Sequence, residues 1–288
     1  MLIIFILLSN LTFAQTDSIK SFKIALGVEA SLYVASMYGL NQLWYADYPR
    51  SSFHWYNDND SWLQMDKFGH SLTAYHVGLV GMDIMRWNGV PEKKAIWYGG
   101  IYGSFFLTTI EILDGYSEEW GSSWGDLIAN STGTTMLISQ ELFWKEQRIQ
   151  LKYSFFPSEY AKHNPSLLGE NTLQQSLKDY NGQTLWASIN INDFLPNSSI
   201  PEWLNIAFGY GAEGMIHAKD FNNYSSSETF ERHRQYYLSL DVNLRKVKTG
   251  SVFWNRFLKL MSFIKIPAPA LMHTEQNKLK FFPLYYGQ

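Results

Sequence analysis

The sequence predicts an α+β protein, an N-terminal four-helix bundle followed by a C-terminal antiparallel β half. Three observations carry that prediction. Up to about residue 147, apolar residues recur at helical spacing through long stretches without charge. Beyond it, short runs alternate polar and apolar side chains between clusters of Pro, Gly, Asn and Ser. Two polar patches interrupt the otherwise apolar, aromatic helices: Asp66-Lys67-Phe68-Gly69-His70, and a second from Glu111 to Gly133. Such groups are costly to bury unless they pair, so their spacing suggests that they face one another.

Composition bounds the function. The 288 residues can hold a sizeable core and one or two domains. A net charge of -3 gives no field that would draw nucleic acid, and none is expected as a partner. Charged residues make up 17% and aromatics 17%. The usual charged share is ~25%, so this surface is poor in charge. Rings with an apolar body and a polar tip suit a membrane–water interface, with a large aromatic core as the alternative reading. There is no cysteine, so no disulfide, thiolate metal site, thiol nucleophile or lipid-modified N-terminal Cys is expected.

Residues Leu2 to Leu8 form an apolar run, and Thr12-Phe13-Ala14 precedes Gln15. This reads as a signal peptide over residues 1–14, too short to span a bilayer. The protein is therefore expected to be exported to the cell envelope, in the periplasm or the outer membrane.

Residues 15–146 are read as the helical bundle. The first helix is expected over about Ser21 to Tyr45, with Glu29 as its one acid, and a loop rich in Tyr, Trp, Asn and Asp follows from Asp47 to Trp62. The second runs from about Asp66 to Trp87 and stops at Asn88-Gly89-Val90-Pro91. The third spans about Pro91 to Leu113 and carries Gly99, Gly100 and Gly103, small residues that let helices approach closely. The fourth runs from about Ser123 to Lys145. None offers ~20 apolar residues free of charge.

Residues 147–288 are read as β-rich. Alternation marks strands at 148–155, 185–191, 204–210, 236–244 and 278–286. About five strands suit a modest antiparallel sheet. Outer-membrane strands alternate in the same way, which leaves barrel-like closure open. Residues 252–263 read instead as a basic amphipathic helix, lying on a membrane or capping the sheet, and ended by Pro267 and Pro269.

The two patches define a candidate site. Asp66 and His70 are four apart and share one helix face. Asp126, Asn130 and Gly133 repeat that spacing on the fourth helix, and Glu111 with Asp114 ends the third. In an up-down bundle these ends fall on one side. Three readings stand together. The first is a buried hydrogen-bonded network with Asp126 and Asp66 as caps. The second is a ligand site made by Asp66, Lys67, His70, Glu111, Asp114, Asp126 and Asn130. The third is a catalytic or metal centre, with His70 or Glu111 as base and Asp66, His70, Glu111 and Asp126 around a divalent cation. No cofactor is otherwise expected. The loop Tyr116 to Gly125 adds Glu118, Glu119, Trp120 and Trp124, read as interface anchors or as a grip on a sugar or cationic headgroup.

Asp66-Lys67-x-x-His70, the late acid Glu111 and Asp126-x-x-x-Asn130-x-x-Gly133 together resemble the VanZ-like family and the YfiM-like envelope proteins of unknown function. The resemblance covers roughly Trp62 to Glu141. VanZ-like proteins usually carry an Arg just before the second Asp, where this chain has Glu118-Glu119-Trp120-Gly121-Ser122-Ser123, and the β half has no counterpart in them. With Ile266-Pro267-Ala268-Pro269-Ala270 near its end, the whole chain looks like uncharacterised exported proteins of the Bacteroidetes type. The resemblance implies an envelope location and no established reaction. The expected role is binding or structural, the polar centre holding a lipid, glycan or peptidoglycan-like group of the membrane or envelope. An envelope lipid- or glycan-modifying enzyme, cation-dependent or not, and a purely structural outer-membrane component are the alternatives. The sequence identifies no protein partner.

Overall fold

The computed structural model describes residues 18–46, 48–195, 199–219, 230–276 and 278–287. The stretch read as a signal peptide lies outside them. The chain divides into two compact units, Met1–Asp58 with His70–Gln147, and Asn59–Gly69 with Arg148–Gln288. The segment Asn59–Gly69 thus goes with the C-terminal unit, although the sequence reading kept it with the helices.

The first unit is helical. Helix α1 (Ser18–Leu40) runs on through a π turn at Asn41–Tyr45. Helix α2 spans Met65–Trp87, α3 Gly100–Gly115 and α4 Trp124–Phe143. Gly89 ends α2 with φ +74°, and the Val90 N–H returns to the Met85 carbonyl at 3.0 Å, a glycine-dependent helix stop. The third predicted helix is not continuous. A short turn at Glu92–Lys94 passes into a π turn at Ala95–Gly99 before α3 begins. At that π turn Gly99 lies against the backbone of Gly81 and Met82.

Ala25 of α1 packs with Ile84, Met85, Val90 and Ala95 in one apolar cluster, and Tyr33 and Met37 pack on Ala74, Phe106 and Leu107 in another. The helices meet at glycines. A methyl group on Gly103 would overlap the Ala74 carbonyl, and one on Gly133 would overlap the Ser71 carbonyl. Gly133→Ala must therefore push α4 off α2, and we expect a loss of about 1–3 kcal/mol. Gly69→Ala has nothing within 4 Å and should instead gain about 0.5–1 kcal/mol. Urea unfolding of the two variants distinguishes close helix contact from mere helix propensity. Among the described residues no helix is long and apolar enough to cross a membrane.

The second unit is built on a six-stranded sheet in the order β1-β2-β3-β4-β5-β6. The strands are β1 (Ile149–Phe155), β2 (Gln183–Asn190), β3 (Leu204–Glu213), β4 (His233–Val242), β5 (Ala268–Thr274) and β6 (Leu279–Tyr285). Every neighbouring pair is antiparallel. The sequence reading missed β5 because Pro267 and Pro269 marked a break. Pro269 lies at a register shift between Ala268 and Ala270, where a strand tolerates the missing N–H. Among the described residues barrel-like closure is not realised: β1 and β6 remain the two edges.

The sheet is strongly curled. In a flat sheet β1 and β4 would lie three strand spacings, about 14 Å, apart. Yet Lys152 Nζ of β1 reaches Asp241 Oδ2 of β4 at 2.7 Å. The amphipathic helix appears as α7 (Val252–Leu260), preceded by α5 (Pro165–Leu168) and α6 (Thr172–Lys178). Ser251 caps α7 by accepting from the Trp254 N–H at 3.5 Å.

The segment before α2 joins this unit. Trp62, Leu63 and Gln64 all have positive φ, at 51°, 49° and 66°, a conformation costing about 1–2 kcal/mol per residue. Contacts offset that cost: the Tyr210 hydroxyl donates to the Leu63 carbonyl, Arg234 Nη2 donates to Gln64 Oε1 at 2.9 Å, and Trp62 packs at a tilt against Tyr180.

Candidate polar centre of the helical unit

The ends of three helices bring the predicted groups together. His70 stands one turn into α2, Glu111 near the end of α3, and Asp126 and Asn130 on the first two turns of α4. Ser123 starts α4 as its N-cap, with its hydroxyl accepting from the Asp126 N–H at 3.3 Å. The Ser123 N–H donates to Glu111 Oε2 at 2.9 Å, which ties the end of α3 to the start of α4.

His70 is the hub. Its Nδ1 lies 3.0 Å from Asn130 Oδ1. Nε2 faces Asp126 Oδ1 at 3.7 Å, and Glu111 Oε1 lies 3.8 Å from Nδ1. One ligand atom from each of His70, Glu111 and Asp126 fits within 4.8 Å of the others, a spacing compatible with a single cation. The Asn130 contact orients the imidazole, as a second layer commonly does for a metal-bound histidine. His70 keeps partial solvent access, whereas Glu111, Asp126 and Asn130 are buried.

Glu111 Oε1 and Asn130 Nδ2 are buried here without a hydrogen-bond partner. Burial pushes the Glu111 carboxyl up to about 8; the Ser123 N–H pulls it back, and Asp126, Asp114 and Asp58 push it further. Glu111 therefore holds a proton at neutral pH. Burial also raises Asp114, to about 6, against the pull of the Tyr45 hydrogen bond and of His70. The Tyr45 hydroxyl donates to Asp114 Oδ1 at 2.6 Å, and its own titration is driven up by burial and by Asp114.

Asp66 and Lys67 pair with each other at 2.9 Å on the first turn of α2, within the segment counted with the second unit. Gly133 supplies the close approach to Ser71 and no polar group. Two participants escaped the sequence reading. Asp58 accepts from the Ser123 hydroxyl at 2.5 Å, and Tyr45 holds Asp114. Asp58 arrives there because its loop zips onto the loop before α4: the Tyr56 N–H reaches the Ser122 carbonyl at 2.9 Å, and Trp55 stacks on Trp124 at 4.4 Å. The aromatic richness of both loops was the only signal. Trp120 packs edge-on to Tyr45 and Tyr48.

Residues 54–140 match the model of a family described as a predicted periplasmic lipoprotein, DUF2279. That stretch contains His70, Glu111, Asp114, Asp126 and Asn130. The match agrees with the export signal read at the N-terminus, and the chain is an exported envelope protein. The description names neither a VanZ-like nor a YfiM-like protein. It implies an acylated cysteine, which has no counterpart among these 288 residues. No curated protein and no solved structure matches the chain.

Proposed function

We propose that the polar centre of the helical unit binds a hydroxyl-bearing group of the envelope, the sugar of a glycan, peptidoglycan fragment or lipid headgroup. The observation that carries this is two buried atoms without a hydrogen-bond partner, Glu111 Oε1, on a carboxyl that keeps its proton, and the amide donor Asn130 Nδ2. A hydroxyl oxygen has two lone pairs and can accept from both, and a buried polar atom left unmet costs about 1–3 kcal/mol. On this reading the four long helical stretches act as one bundle that presents the site, and the role is binding or structural.

A second reading has its own support. The His70, Glu111 and Asp126 atoms within 4.8 Å could hold a divalent cation, and the same groups would then serve an enzyme that modifies envelope lipids or glycans, with His70 or Glu111 moving the proton.

The test uses the full chain with purified muropeptides and lipopolysaccharide, read by calorimetry, with circular dichroism as the folding control. Asn130→Ala and His70→Ala should each weaken binding about tenfold, the value of one lost hydrogen bond to a buried group. Unchanged affinity in both variants would sink the hydroxyl site. Binding that requires added Mn2+ or Zn2+ and is abolished by Glu111→Gln or Asp126→Asn would select the cation reading.

A further inference from the structure

The sheet of the second unit is inside out for a protein surrounded by water. A sheet with one uncovered face normally turns polar side chains outward. Here the concave face holds the charges and amides. Lys152 and Asp241 are fully buried there, Ser188 Oγ donates to Asp241 Oδ2 at 2.6 Å, and Gln150 Nε2 donates to Asn243 Oδ1 at 2.8 Å. The uncovered face is apolar. Phe208 is 53% exposed, Leu238 46% and Phe281 63%.

Register carries that face across the sheet, although Leu185 within it is buried and the Tyr153 and Tyr210 hydroxyls donate to the Ser176 and Leu63 carbonyls. Leu151, Ala187, Phe208, Leu238, Leu271 and Phe281 are successive cross-strand partners from β1 to β6. Two residues along, the next row reads Tyr153, Leu185, Tyr210, Tyr236, His273 and Leu279. Two residues further on β4 comes Arg234, paired with Glu275 at 3.1 Å. On β3 and β4 the face thus passes from Phe208 and Leu238 through Tyr210 and Tyr236 to Arg234. That order is the depth profile of a bilayer, with hydrocarbon inside, aromatic rings at the interface and ions in the headgroups. A protein partner requires no such gradient.

We infer that the convex face of this sheet seats in the hydrocarbon of a membrane leaflet, with the tyrosine row at the headgroup level. The inference is independent of the polar centre. Leu204 to Tyr210 covers about 20 Å of strand, enough to reach into one leaflet of a hydrocarbon core ~30 Å thick. Two features reduce the free backbone groups at the edges. The Lys265 N–H donates to the Tyr153 carbonyl at 2.9 Å along β1, and Pro283 removes a donor from β6.

The absence of cysteine makes the test direct. The full chain, labelled with an environment-sensitive dye at Leu238→Cys or at Lys280→Cys, is mixed with vesicles of phosphatidylethanolamine and phosphatidylglycerol. The Leu238 label should shift to the blue and be quenched by spin-labelled acyl chains, and the Lys280 label should do neither. Leu238→Arg should lower vesicle binding about tenfold or more in a flotation assay, the scale of placing an arginine in hydrocarbon. Absence of vesicle binding, or binding without quenching at Leu238, overturns the inference. So does a detergent-free dimer that Leu238→Arg dissociates, since the face would then belong to a second copy.

Discussion

Asp241→Ala is expected to lower stability by about 3–5 kcal/mol, the cost of leaving a buried charge without its partner. Asp241 and Lys152 are fully buried at 2.7 Å, and the Lys152 ammonium also donates to the Val242 carbonyl. Burial pulls the Lys152 amine below its usual range, and Asp241 opposes that pull. Lys265 lies over the Trp186 ring at 4.8 Å, and burial brings its amine down to about 8, again against Asp241. Removing the carboxylate leaves two buried amines that fold best when neutral. A lysine with a lowered folded-state pKa binds fewer protons folded than unfolded, so its contribution rises with pH. The Asp241→Ala variant should therefore recover part of its loss as pH rises, because without Asp241 the Lys265 amine sits lower still and sheds its proton more readily. Lys152→Met with Asp241→Leu should be far less damaging than either single change, because an apolar pair of similar volume escapes the desolvation cost. Urea unfolding at pH 7 and pH 9 measures all three. A loss below about 1 kcal/mol in Asp241→Ala would mean that water reaches the pair.

That pair also shows where sequence reading stops. The alternation Tyr236-Leu238-Leu240 against Gln235-Tyr237-Ser239-Asp241 was legible as a strand, because period 2 is a local property. Which face would be covered was not legible, because it depends on the curl that carries Lys152 across to Asp241. The usual assumption puts the apolar face inward, and here it is outward. In the helical half the i, i+4 spacing of Asp126 and Asn130 and the position of His70 predicted a convergence of helix ends, and the helix ends do converge. Asp58 and Tyr45 stayed hidden because only loop-to-loop pairing brings them in. The π turns were hidden too, since an extra residue in a helical turn leaves the apolar pattern nearly unchanged. The prolines misled in the opposite direction: a bulge absorbs Pro269 within a strand that two neighbours pair.

Glu29 should make the helical unit lose stability as pH rises. It is the one acid of α1, it is buried, and its Oε1 has no hydrogen-bond partner. Burial alone pushes its carboxyl up to about 8. Between about pH 4.5 and pH 8 the folded chain keeps a proton that the unfolded chain has released. Stability is then fully present below the unfolded value and is lost as pH rises toward the folded one. The loss between pH 5 and pH 8 should be on the order of 4 kcal/mol, because each pKa unit is worth about 1.4 kcal/mol. Glutamine copies the shape of the protonated acid and cannot ionise. Glu29→Gln should match the wild type near pH 5, exceed it at pH 8 and flatten the slope between. Glu111, raised in the same direction, leaves a residual slope in that variant. Unfolding curves at pH 5, 6.5 and 8 for both proteins decide the matter. Parallel slopes would mean that the Glu29 carboxylate is hydrated in the folded state, and that α1 is not packed against its neighbours at this position.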